Sequence, residues 1–599
     1  MKKFTIIIAL SLLAVSCGGS ESHDMPNTPV TPSSGTANEV TVNVKTKGNL
    51  TLSLATDKAC YKPGETVRFS VEGTLPSGAK VRYRKGVEVV HSSPLSGDSW
   101  TWTAPMQDFC GYIVDIYTSA GNEETVHGTI AVDVSSDWTH YPRYGFVASY
   151  GQEKTVSVIN EEMAWLNRCH INGIQFYDWH YKHHWPAPIT DGNLMDKYTD
   201  IANREIVTDV VKQYITTQHG YGMKAMFYNL CFGALSDYAA DGAKADWLMY
   251  KQTGHGDIDQ LVMSNAWKSN ILLMNPENAA WQQYLAQRNE EVYQHFDFDG
   301  YHIDQVGDRG TVYDYDGKRL NLPRAYASFI NAIKAAHPQK RLVMNAVSSF
   351  GASQIAQTQK TDFLYNELWD SEAQFSDLLT VKNANSAYSD NQLQTVFAAY
   401  MNYGKSSASG TFNTSGVLLT DAVMFAIGGA HLELGDGHML CHEYFPNSNL
   451  KMNNELKTAI VNYYDFMTAY EQLLRGSGSE QACNLSSSNN AVSINAWPPQ
   501  LKAVTAYCKS VEGKTVIHLL NFRQANSLSW RDMDGTMPAP VTLSDLPLAF
   551  QHTAKVSKIW VATPDALGGV PQELSFKQDG NNVTFTLPSL KYWTMIVIE

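Results

Sequence analysis

Phe298-Asp299-Gly300-Tyr301-His302-Ile303-Asp304-Gln305-Val306-Gly307 reads as one barrel strand and the loop that leaves it. A glycine opens the run, side chains alternate, and a carboxylate arrives where the strand meets a glycine-containing loop. Seven more runs of this kind surround it: Phe146–Tyr150, Gly173–Asp178, Lys224–Asn229, Leu342–Ala346, Phe363–Glu367, Thr395–Tyr400 and His431–Gly435. Longer helical stretches separate them. Asn203–His219 carries Ile206, Val207, Val210, Val211 and Ile215 at helical spacing and ends at Gly220, and Pro276–His295 is a second such stretch. Eight alternating units predict a (β/α)8 TIM barrel over residues 138–475. A doubly wound open sheet is the rival topology, and the absence of any GxGxxG or GxxxxGK[ST] turn removes its nucleotide-binding form.

The flanks change character. Before the barrel, Val42–Val44, Thr66–Val71 and Thr129–Val134 alternate apolar and polar residues between turn signals such as Pro63-Gly64, which predicts an immunoglobulin-like β-sandwich over 40–137. After it, Ala491–Ile494, Ala503–Tyr507, Thr515–Asn521, Val583–Leu587 and Thr594–Ile598 predict a C-terminal β-sandwich over 476–599. The class is therefore multidomain, α/β plus β.

The N-terminus has the parts of an export signal: Met1-Lys2-Lys3, an apolar run from Phe4 to Val15, then Ser16-Cys17. The cysteine resembles a bacterial lipobox residue, so residues 1–17 are expected to be a signal peptide with Cys17 lipidated, holding the protein on the bacterial outer membrane through the lipid alone. Residues 18–39 are poor in large apolar side chains and read as a flexible tether.

Lys plus Arg is 45 against 59 Asp plus Glu, a net charge of −14, and no basic stripe suits a phosphate backbone. Nucleic acid is excluded as a partner. Fourteen Trp and 31 Tyr, many beside Asn, Asp and His, offer the flat faces with polar rims that sugar rings need. The eight cysteines form no CxxC pair. Cys60 with Cys110 and Cys483 with Cys508 are pairings open to an exported protein, whereas Cys169 and Cys231 read as buried thiols.

Strand ends face the substrate in a barrel, and four end in acids: Asp178, Asp304, Glu367 and Glu433. Asp304 and Glu367 are the candidate pair. Glycoside cleavage needs one carboxyl to attack the anomeric carbon and another to protonate the departing oxygen. His180, His183 and His184 lack a carboxylate at helical spacing, so no metal or cofactor is expected.

Asp299–Gly307, Tyr365-Asn366-Glu367-Leu368-Trp369, His431–Gly437 and Glu443–Asn447 resemble glycoside hydrolase family 66, the endo-dextranases and cycloisomaltooligosaccharide glucanotransferases. The resemblance implies endo-acting, retaining attack on α-1,6-linked glucan, with Asp304 as nucleophile and Glu367 as acid/base. Tyr177, Asp178, Trp179, His180, Asn229, Asn345, Trp369, Glu433 and Asp436 are then expected to line glucose subsites. Dextran and isomaltooligosaccharides are the expected partners of a monomer. The family's glucanotransferases usually carry an extra carbohydrate-binding insertion within the barrel, for which the spacing here leaves no room; hydrolysis is favoured over cyclisation. A non-catalytic surface glycan-binding lipoprotein, or a hydrolase of α-1,4 or α-1,3 links, are the competing readings.

Overall fold

A computed structural model describes residues 37–599. The signal, Cys17 and most of the tether lie outside the described residues. All eight expected strands form one parallel sheet in sequence order: Tyr144–Val147, Gly173–Phe176, Lys224–Leu230, Gly300–Asp304, Arg341–Val347, Leu364–Glu367, Thr395–Ala398 and Ala430–Leu432. The Phe146 N–H donates to the Leu434 carbonyl at 3.1 Å, which closes first strand on last. A helix follows every strand, so the sheet is a TIM-type barrel.

Local chemistry places these elements. At Gly300 an added Cβ would lie 2.3 Å from the Arg341 carbonyl oxygen, so only glycine lets the fourth strand start this close to the fifth. The helix Ala279–His295 begins where the Asn278 side chain accepts the Ala280 and Trp281 N–H groups. The helix expected from Asn203 starts instead at Thr208. Residues Glu205–Val207 are spent on a hairpin with Lys197–Thr199, and Asn203, at φ 61°, turns the chain between them.

Two β-sandwiches flank the barrel. The N-terminal one packs a five-stranded sheet on a three-stranded one around Val67, Phe69, Tyr83 and Ile130. The C-terminal one packs seven strands against five. One strand crosses between regions: Asn38–Val40, where the tether was expected to end, pairs antiparallel with Phe576–Gln578 of the C-terminal sandwich. Such a partner, more than five hundred residues away, has no local signal.

The junctions are built by buried charge. Asp465, on the last barrel helix, accepts the Ala131 N–H of the N-terminal sandwich and pairs with Arg168 and His170. The helix Thr414–Ala426 is buried at every position, because the barrel covers one side and the C-terminal sandwich the other. Cys483 and Cys508 form a disulfide with Cα atoms 5.4 Å apart. Cys60 and Cys110 do not pair: Cys110 points into the sandwich core, while the Cys60 thiol donates to the Ser135 carbonyl. Cys169 and Cys231 are free and buried.

Candidate active site

Side chains alternate along a strand, and the parity of each barrel strand decides what the rim presents. On the fourth strand His302 and Asp304 point inward; on the fifth, Asn345 and Val347; on the sixth, Tyr365 and Glu367. The fifth strand separates the two acids and supplies the group that joins them. The Asn345 Nδ2 donates to Asp304 Oδ1 and to Glu367 Oε2, each at 2.8 Å. Two legs of that length hold the bonded oxygens within about 5.6 Å of each other, which fits the short spacing of about 5–5.5 Å in retaining glycosidases rather than the wider inverting one.

Each acid has a further donor. The Tyr228 hydroxyl donates to Asp304 Oδ2, and the Tyr400 hydroxyl to Glu367 Oε1, both at 2.7 Å. Burial pushes Glu367 up to about 7, and the neighbouring Asp304 charge adds to the push. Burial also raises Asp304, against the pull of its Tyr228 and Asn345 hydrogen bonds. A carboxyl able to hold a proton near neutrality therefore stands directly beside a second carboxyl, the pairing that an acid and a nucleophile require.

The pair sits in a cavity of about 570 Å³ at the C-terminal face of the barrel. Its walls are aromatic: Tyr177 stacks on Phe445 at 4.2 Å, Trp369 lies 5.5 Å from Tyr400, and Trp267 meets Tyr444 at 6.0 Å. Polar atoms without a protein partner lie within the same walls. Asn345 Oδ1, Asp178 Oδ2, Gln175 Oε1 and His183 Nε2 are buried and unbonded on residues that line the cavity. Flat aromatic faces beside polar side chains suit a sugar.

The residues expected to line subsites divide. Tyr177, Asp178, Asn345 and Trp369 reach the cavity. Trp179, His180, Asn229, Glu433 and Asp436 do not. The third strand runs on to Leu230, so Tyr228 faces inward and Asn229 outward, where it bonds His183. Trp179 donates to the Tyr228 carbonyl behind the wall, and His180 is sealed beside His183. Glu433 faces the outer helices with His431 and Asp421, and Asp436 caps the Ala148 and Ser149 N–H groups while pairing with Lys154. Among the site residues that the sequence did not single out, Gln175, Tyr228, His302, Tyr365 and Tyr400 stand at inward positions of strands it had located, whereas Trp267, Tyr444 and Phe445 come from loops.

Two groups bring His and carboxylates within reach of one ion: His184 with Asp237 and Asp241, and Asp421 with His431 and Glu433. In the first, the Lys182 ammonium already neutralises both acids at 2.6 Å. In the second, burial and the Asp421 charge push Glu433 up to about 8, so it keeps its proton at neutral pH.

Paired carboxyls on one amide, within an aromatic cleft at the C-terminal face of a barrel, are the arrangement that a glycosidase needs. The chain belongs to glycosyl hydrolase family 66, whose description its residues 56–597 match. It is 26% identical to a cycloisomaltooligosaccharide glucanotransferase from Niallia circulans, over 91% of this chain and 71% of that one. It is 24% identical to a dextranase from Streptococcus salivarius, over 82% of this chain and 67% of that one. A Paenibacillus cycloisomaltooligosaccharide glucanotransferase, solved with cycloisomaltoheptaose, superposes with a TM-score of 0.83 at 25% identity, covering 92% of this chain and all of that one.

Proposed function

We propose that this chain is an endo-acting, retaining hydrolase of the α-1,6-glucosidic links of dextran, releasing isomaltooligosaccharides. The Asn345 amide that joins the two acids carries this reading. Asp304 attacks the anomeric carbon as Glu367 gives its proton to the departing oxygen of the next glucose, leaving a glycosyl-enzyme ester. Glu367, now ionised, takes a proton from water, whose oxygen attacks the same carbon and frees Asp304. The relatives support the substrate class: one is named a dextranase, and a neighbour of the same fold was solved with cycloisomaltoheptaose, a ring of the isomaltooligosaccharide class.

The same relatives also favour a second reading, in which the 6-hydroxyl at the far end of the same chain replaces water and closes a ring. The match to the Niallia glucanotransferase spans 704 positions, more than the 599 residues of this chain, so that enzyme carries segments this one lacks. That difference favours hydrolysis. Chromatography of products from dextran separates the readings: linear internal fragments from wild type, with near-silence from Asp304→Ala and Glu367→Gln, support the proposal. Cyclic products would make it a transferase, binding without release a glycan-binding lipoprotein, and release from pullulan or mutan alone a hydrolase of other links. Lipid anchoring through Cys17 belongs to the same proposal and is tested by whether Cys17→Ser abolishes incorporation of labelled palmitate.

A further inference from the structure

A loop of the C-terminal sandwich, Ser527–Met537, leaves its own domain and lies beneath the barrel rim. The Trp530 Nε1 donates to the Glu372 carbonyl at 2.6 Å, and Thr420 donates to the Trp530 carbonyl at 2.7 Å. These contacts hold Arg531 in place, only 5% exposed. The Arg531 Nη2 donates at 2.7 Å to the carbonyl of Leu368, the residue directly after Glu367. Its guanidinium lies 5.3 Å from the Trp369 ring and 5.6 Å from the Tyr403 ring.

The same loop grips the neighbouring strand exit. The Arg531 carbonyl accepts the Asn402 N–H at 3.0 Å, and the Asp532 carbonyl accepts the Asn402 side-chain amide at 2.7 Å. Asn402, at φ 52°, stands two residues beyond Tyr400, the donor to Glu367. One loop therefore pins both the strand that carries the acid and the strand that carries its hydrogen-bond donor.

We infer that Arg531 is a positioning residue for Glu367: through it the C-terminal sandwich fixes the exit of the sixth strand and sets a buried positive charge behind the acid/base. The inference rests on the roles proposed for Asp304 and Glu367. Its physical content is a charge balance. Glu367 faces Asp304 from the fourth strand, Tyr177 from the second, Tyr400 from the seventh and Tyr365 on its own, with His442 and Glu443 across the cavity and Asp370 at its own exit. Among the described residues the cavity lining holds no Lys or Arg. The guanidinium feels Asp370 and Glu367 but makes no ion pair with either. Its charge favours the carboxylate that Glu367 becomes once its proton has left.

The test is the pH dependence of kcat and KM on dextran for wild type, Arg531→Met and Arg531→Lys, with folding checked by circular dichroism and Tm. Arg531→Met is expected to lower kcat about tenfold, with KM held within about twofold. It should also move the basic limb up by about half a pH unit, since losing the cation leaves the proton more tightly held. Arg531→Lys keeps the charge and should return the limb to its wild-type position while losing the planar fork. If Arg531→Met does not fold, Arg531→Gln carries the same prediction. A wild-type limb and kcat in the neutral variant, or the same limb in the neutral and Lys variants, would overturn this role alone. An inactive wild type, or an active Glu367→Gln, would overturn the site assignment and this role with it.

Discussion

Two pairs of buried acids lie in this barrel, and they differ in what surrounds them. Asp304 and Glu367 share the Asn345 amide and open onto a cavity of about 570 Å³. Asp421 and Glu433 share the His431 imidazole, whose Nδ1 stands 2.8 Å from one and 3.4 Å from the other, and none is more than 1% exposed. Burial raises all four carboxyls. A perturbed acid is thus no mark of catalysis by itself. What separates the pairs is access: an aromatic-walled cavity opens onto the first, whereas the second lies outside it and is sealed under helices.

Substitution should break the symmetry sharply. Asp304→Ala and Glu367→Gln are expected to lower kcat on dextran by about four orders of magnitude with little change in Tm. Asp421→Asn should do the reverse, keeping kcat within about twofold per folded molecule while destabilising the fold by about 1–3 kcal/mol, because a buried network loses a partner. Denaturant melts beside rate assays measure both. If Asp421→Asn silences a fully folded enzyme, access does not separate the pairs.

Removing the bridge is the next largest effect. Asn345→Ala takes a donor from both rim acids, and kcat should drop about a hundredfold. Tyr400→Phe removes a hydrogen bond that favours the ionised Glu367, so its proton binds more tightly. The basic limb of kcat/KM, expected near the value of about 7 on Glu367, should shift up by about half a unit with a loss of about tenfold in rate. The direction of the wild-type limb is fixed: the acid must be protonated, so activity falls as pH rises through about 7.

The smallest effect concerns the sealed pair. Glu433 holds its proton up to about 8 when folded, against about 4.3 in an unfolded chain. A raised folded pKa stabilises fully below the unfolded value, and that contribution is lost as pH rises toward 8. The Tm of wild type should therefore fall between about pH 5 and about pH 8 more steeply than that of Glu433→Gln. Parallel slopes would mean that Glu433 does not titrate in this window.

The barrel was legible because its strands are short β-rich runs alternating with longer helical stretches, and starts and stops fell within two or three residues of those observed. What escaped was set by distant partners. The pairing of Asn38–Val40 with Phe576–Gln578, and the hairpin that shortens the helix at Thr208, depend on neighbours that no window of sequence contains. In the site, Asp304 and Glu367 were legible as strand-end acids, but the facing of the other polar residues was not. Asn229 and Glu433 fall on outward positions, where one residue of register reverses a side chain. Arg531 was invisible for a different reason, since nothing in Ser529-Trp530-Arg531-Asp532 announces a barrel rim.

In the proposed reaction Asp304 forms the bond to the sugar and Glu367 supplies the proton. An α-isomaltooligosaccharyl fluoride given to Asp304→Gly and to Glu367→Ala with sodium azide tests this in the anomers of the glycosyl azides, read by proton NMR. A β-azide is expected from Asp304→Gly, where azide enters from the vacated face, and an α-azide from Glu367→Ala, where it displaces the ester on Asp304. The same anomer from both variants, or an α-azide from Asp304→Gly, would contradict these roles.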